Sequence, residues 1–108
     1  MSLNDNLMDE YEQFCFSVDL SQNTKEHAYH GLIAEVGELA ALFQKNHRGD
    51  YDYVDQEKLK AELGDIMWYL TRLINEFGYT SQEIKEFNSA KLRARVLNET
   101  IKGNGDDR

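Results

Sequence analysis

Between Leu59 and Phe77 the large apolar residues Leu59, Leu63, Ile66, Leu70, Leu73 and Phe77 recur at steps of four, three, four, three and four. Only an α-helix gathers that spacing onto one continuous face. The same rhythm runs through Leu32, Val36, Leu39 and Phe43, and upstream through Leu7, Tyr11, Phe14, Cys15 and Val18. No proline interrupts it anywhere in the 108 residues. The pattern predicts four helices. The first carries Leu7 to Val18, and the second starts near Asn23 or Thr24, either of which can cap it. The third covers about residues 55–77, with Asp55 as N-cap and Gly78 as the stop. A fourth begins at Thr80, where Thr80-Ser81-Gln82-Glu83 fits a capping box, and fades near Leu97 or Asn98. The expected fold is all-α, four-helix bundle-like, and completed by oligomerisation, because so short a chain leaves apolar faces that a second copy must cover. One domain is expected over 1–101, followed by the glycine-containing tail 102–108, which has no apolar period.

Charge narrows the partners. Twenty acidic residues face twelve basic ones, a net charge of -8, which disfavours a nucleic-acid polymer. The imbalance is uneven: residues 1–90 hold 7 basic and 17 acidic groups, whereas 91–108 hold 5 and 3. No apolar run approaches the roughly 18 residues a membrane helix needs. Cys15 has no second cysteine to pair with, and Met1-Ser2-Leu3-Asn4-Asp5 lacks the basic and apolar regions of a secretory leader, so a cytoplasmic location is expected.

The chain also repeats itself at an offset of 27, Ala34-Glu35-Val36-Gly37-Glu38 returning as Ala61-Glu62-Leu63-Gly64-Asp65. Glu35 and Glu38 occupy a strip beside the apolar seam of the second helix, and Glu62 and Asp65 occupy the equivalent strip of the third. If the two helices pack antiparallel, four carboxylates converge and repel unless protons or cations neutralise them. An all-oxygen ligand set suits a hard ion, Mg²⁺ first and Mn²⁺ as a substitute. The competing reading is a solvated acidic face inherited from a duplicated helix, on a non-catalytic oligomeric adaptor or binding module. Di-iron chemistry is excluded because no histidine follows a glutamate by three residues. Asp50, Asp52 and Asp55 lack the glycine and closing glutamate of a calcium loop.

The series Gly31-Leu32-Ile33-Ala34-Glu35-Val36-Gly37-Glu38, then Lys45 and Arg48, then Glu62-Leu63-Gly64-Asp65-Ile66-Met67-Trp68-Tyr69-Leu70, resembles the MazG-type nucleotide pyrophosphohydrolases of the all-α NTP pyrophosphatase superfamily. The likeness continues through Asn88, Lys91-Leu92 and Arg95 into Lys102-Gly103-Asn104-Gly105-Asp106-Asp107-Arg108, similar to the closing segment of single-domain MazG-like proteins. One departure is that Ala34 stands where many members carry a glutamate directly before the first motif acid.

The resemblance implies a MazG fold in which Glu35, Glu38, Glu62 and Asp65 bind Mg²⁺ and form the catalytic centre. It further implies cleavage of a nucleoside triphosphate between its α and β phosphates, releasing a monophosphate and pyrophosphate, in nucleotide-pool cleaning. Small members are homodimers or homotetramers. Asn88, Lys91 and Arg95 form one polar strip on the fourth helix, suited to triphosphate oxygens or to plain solvation. Lys45 and Arg48 either reach phosphate or complement a helix dipole. Lys102 and Arg108 can fold over a nucleotide or meet a neighbouring subunit.

Overall fold

A computed structural model describes residues 8–19, 25–47, 49 and 53–98. Among them run four α-helices and no strand: α1 (Glu10–Val18), α2 (Lys25–His47), α3 (Gln56–Glu76) and α4 (Ser81–Leu97). The all-α expectation holds. The expected caps of α2 at Asn23 or Thr24, the residue Leu7, and the tail 102–108 lie outside the described residues.

Local chemistry sets the helix ends. Asp55 caps α3 by accepting the backbone N–H groups of Glu57 at 3.0 Å and Lys58 at 3.2 Å. At its other end Gly78 adopts φ 89°, and the N–H groups of Gly78 and Tyr79 return to the carbonyls of Asn75 and Ile74. Only glycine enters that left-handed conformation without a side-chain penalty, so the chain turns there. Thr80 then opens α4 with a complete capping box. Its hydroxyl accepts from Glu83 N–H at 3.3 Å, and the Glu83 carboxylate accepts from Thr80 N–H at 2.9 Å.

α2 and α3 form an antiparallel hairpin that provides the main packing of the fold, while α1 and α4 meet α3 over shorter stretches. The close approach is greatest at Gly31, where an added Cβ would overlap the ring of Tyr69. The α2 and α3 seams are only half-buried: Leu32, Leu39, Leu59, Ile66 and Leu73 are partly covered, and Val36, Phe43, Leu63 and Leu70 are exposed. No residue of α4 is buried, and Phe87 is 76% exposed.

α1 docks by polar contacts instead. Of the described residues that set its apolar rhythm, Tyr11, Phe14 and Val18 are exposed and Cys15 is buried. The fully buried partner of Cys15 on that helix is Glu12. Its carboxylate accepts from Asn75 Nδ2 at 3.0 Å, from Ser81 N–H at 2.9 Å and from the Ser81 hydroxyl at 2.9 Å. Asn75 Oδ1 in turn accepts from Arg72 at 2.7 Å, and Arg72 Nε donates to Asp19 at 2.8 Å. The guanidinium also lies 4.9 Å from the centre of the Phe16 ring. One hydrogen-bonded chain thus links both ends of α1 to α3 and to the first residue of α4.

Candidate active site

The antiparallel register brings the two acidic strips together. Glu35 of α2 and Glu62 and Asp65 of α3 place one carboxylate oxygen each within 4.8 Å of one another. Glu35 and Glu62 are half-buried and Asp65 is exposed. Burial raises the Glu35 pKa above its ordinary value. A hydrogen bond with the Glu62 carboxyl and the charges of Asp65, Glu62 and Glu38 push the same way.

Glu62 Oε2 is buried and has no hydrogen-bond partner. A carboxylate oxygen in that state is costly unless a cation meets it. Three all-oxygen donors on two rigid helices, one of them unsatisfied, fit a hard divalent cation. Glu38, the fourth motif acid, is exposed and stands beside this trio, near enough for its charge to act on Glu35.

A cavity of about 580 Å³ adjoins the trio at the connected end of the hairpin. Glu38 and Glu62 form its acidic wall. Ala41, Leu42, Val54 and Ala61 give it an apolar lining, and Lys45, Asn46, Tyr53, Asp55 and Lys58 contribute polar groups. Lys45 therefore lines the same cavity as Glu38 and Glu62. Lys58 also lines it and is a residue that sequence reasoning missed. Asn88, Lys91 and Arg95 share α4 and join neither the trio nor the cavity lining. Arg95 is half-buried, while Asn88 and Lys91 are exposed. Arg48, Lys102 and Arg108 lie outside the described residues.

α1 approaches the same acids from another side. Although Tyr11 as a whole is exposed, its phenol is pushed up to about 12 by partial desolvation first, then by a hydrogen bond with Cys15 and by the nearby Asp65 and Asp9 carboxylates. His27 sits by Tyr69, one turn beyond Asp65, with ring centres 6.3 Å apart.

The class defined by this fold and site is an all-α hairpin with paired acidic motifs on facing helices. The MazG nucleotide pyrophosphohydrolase domain model matches residues 23–98, so the chain belongs to the MazG family. It is also 37% identical over 81 residues to the Gene 37 protein of Mycobacterium phage L5, a match covering 72% of this chain and 71% of that one. No solved structure matches the chain. Among the described residues, no helix is long and apolar enough to cross a membrane.

Proposed function

We propose that the chain is a Mg²⁺-dependent nucleoside triphosphate pyrophosphohydrolase, cleaving canonical or modified (d)NTPs between the α and β phosphates to give (d)NMP and pyrophosphate. The observation that carries this reading is the convergence of Glu35, Glu62 and Asp65 around the unpartnered Oε2 of Glu62. Family membership gives the reaction class.

Glu35, Glu62 and Asp65 hold the ion, with Glu38 completing the acidic set; Mn²⁺ substitutes. Bound there, a hard divalent cation supplies charge neutralisation on phosphate oxygens and a water of lowered pKa. The carboxylates make an anionic protein compatible with an anionic substrate only in the cation's presence, which accounts for binding by a chain of net charge -8. Glu38 orients the attacking water and accepts its proton, a role supported by its exposure at the cavity wall. The water oxygen bonds to the α-phosphorus, the bond from that phosphorus to the α–β bridging oxygen breaks, and the electron pair leaves with pyrophosphate. Lys45 and Arg48 meet phosphate from α2 and its following segment. Asn88, Lys91 and Arg95 act from α4, and Lys102 and Arg108 from the tail.

The protein works as a homodimer or homotetramer. The support is α4, which exposes Ile84, Phe87, Val96 and Leu97 and buries nothing within one chain. In such an assembly a neighbouring α4 is free to bring its cationic strip to the acids. Nucleotide-pool cleaning in the cytoplasm is the corresponding role.

The deciding experiment incubates purified protein with a nucleotide panel and Mg²⁺ and scores monophosphate and pyrophosphate. Appearance of both products in equal amounts supports the reading. Orthophosphate alone, or no turnover of any nucleotide, overturns it in favour of a helical binding module.

A further inference from the structure

The chain turns from α3 into α4 through Gly78 and Tyr79, and side chains of three elements close that joint. Glu12 of α1 holds Ser81, the first residue of α4, with both carboxylate oxygens. Oε2 accepts the Ser81 N–H at 2.9 Å, and Oε1 accepts the Ser81 hydroxyl at 2.9 Å. Asn75 of α3 uses both amide hydrogens, one on Glu12 Oε2 and one on the Tyr79 carbonyl, each at 3.0 Å, while its Oδ1 accepts from Arg72 at 2.7 Å. One turn into α4, the Lys85 ammonium lies 3.9 Å from the Asp9 carboxylate, whose residue caps α1.

Glu12 is not needed to start the helix. Thr80 and Glu83 already close the first turn of α4 with a complete capping box. What Glu12 adds is a tie to another element, and a hydrogen bond fixes direction as well as distance. Direction matters for α4 because no residue of it is buried, so packing into a core does not set its course. At about 1.5 Å of rise per residue, Lys91 lies about 15 Å and Arg95 about 21 Å beyond Ser81. With that leverage a tilt of about 10° at the joint carries Arg95 by about 4 Å, more than the length of a hydrogen bond. A fault at Glu12 reaches the cationic strip enlarged.

We propose that Glu12 is a positioning residue: by gripping Ser81 at two points it sets the angle at which α4 presents Asn88, Lys91 and Arg95 to the phosphates of the substrate. This rests on the part given to that strip in the proposed activity, and it holds equally for a strip that serves its own chain and for one that serves a neighbour. Asn75 and Arg72 keep the carboxylate aimed, and α1 acts as the brace between the hairpin and α4.

Two readouts on the full chain test it. The first is geometric: spin labels are placed at Lys60→Cys and Leu97→Cys, both exposed positions, in a Cys15→Ala background. Labelled chains are diluted into an excess of unlabelled ones, so that only distances within one chain are measured. Glu12→Gln should shift or broaden the distance between the labels by at least about 4 Å, the displacement that a tilt of about 10° gives at the far end of α4. Ser81→Ala, which loses the hydroxyl and keeps the backbone N–H, should give a smaller change in the same direction, and it carries the test if Glu12→Gln loses helicity. The second readout is kinetic. Glu12→Gln should raise the nucleotide KM by at least about 10-fold, the scale of one lost hydrogen bond to a charged group, with kcat and Mg²⁺ affinity within about twofold of wild type. Lys91→Gln should raise KM by about 10-fold alone but by less than about twofold once Glu12→Gln is present, because a displaced lysine has no contact left to lose. A cap that merely stabilises the fold would lower Tm and leave the distance, the KM and that non-additivity unmoved.

An unshifted distance in both Glu12→Gln and Ser81→Ala overturns the proposal, as does full additivity of Glu12→Gln with Lys91→Gln. If wild type turns over nucleotides while distance and KM both survive Glu12→Gln, the positioning role fails and the proposed activity stands. If wild type turns over nothing while the distance shifts, the activity fails and Glu12 still sets the angle of α4.

Discussion

Glu12 and Ser81 stand 69 residues apart in the chain, yet the carboxylate of one accepts both the backbone N–H and the hydroxyl of the other, each at 2.9 Å. A buried carboxylate thereby satisfies a free amide at the start of α4 and answers the positive end of that helix dipole. Glu12→Gln keeps the shape but turns an amide NH₂ toward donors on Ser81 or Asn75. A loss of about 1–3 kcal/mol is expected for the stranded group. That corresponds to a drop of roughly 4–8 °C in Tm per kcal/mol for a domain of this size, readable by thermal melting. An unchanged Tm would show that the network contributes nothing.

The raised pKa of Glu35 makes apoprotein stability depend on pH. A carboxyl whose folded value exceeds its unfolded one contributes fully below the ordinary glutamate range and loses that contribution as pH rises through the folded value. In EDTA, Glu35→Gln should therefore gain stability over wild type as pH climbs from the ordinary glutamate range through the raised folded value. Melting curves of both proteins across that interval check the sign. Added MgCl₂ should shrink the gap from the wild-type side.

Glu62→Gln separates binding from folding. Removing one of three mutually repelling carboxylates should stabilise the apoprotein, while Mg²⁺ or Mn²⁺ heats in calorimetry fall by at least about 10- to 100-fold in affinity. Asp65→Asn should act in the same direction. Intact cation affinity in both variants would refute the proposed centre.

Gly37 and Gly64 occupy equivalent places in the repeat, each inside a helix, and a Cβ built on either meets nothing within 4 Å. Within one chain the glycines cost helix stability without a packing reason. Gly64→Ala should therefore raise stability by about 0.5–1 kcal/mol. A denaturant titration measures it. A simultaneous fall in turnover would mark that open space as occupied during function, by substrate or by another subunit.

Gly31→Ala should behave in the opposite way. Overlap with Tyr69 costs about 1–3 kcal/mol, against a propensity gain of roughly 1 kcal/mol, so net destabilisation is expected. The same titration distinguishes the two glycines.

How much of this was legible from the residues depended on how local the cause was. Asp55, Gly78 and the Thr80/Glu83 box act within one turn, and all three ended or began helices where the sequence placed them. Of the four acids that the repeat aligned, Glu35, Glu62 and Asp65 meet because one antiparallel register is enough to bring them together, while Glu38 stands outside that trio. Glu12 was invisible for the converse reason. A carboxylate on a short helix reads as solvent-facing until another helix brings free amides to it, and Asn75 and Arg72 sit off the seam that periodicity detects. The apolar rhythm of α1 misdirected attention toward Phe14 and Val18, which stay exposed. Nothing in the sequence singles out Lys58, because a cavity belongs to two helices at once.

Cys15, 1% exposed and the chain's single thiol, turns the docking of α1 into something that can be timed. A sulfhydryl reagent can react only with molecules whose first helix has swung clear. The modification rate, followed with and without nucleotide, is then a clock for how often that helix lets go.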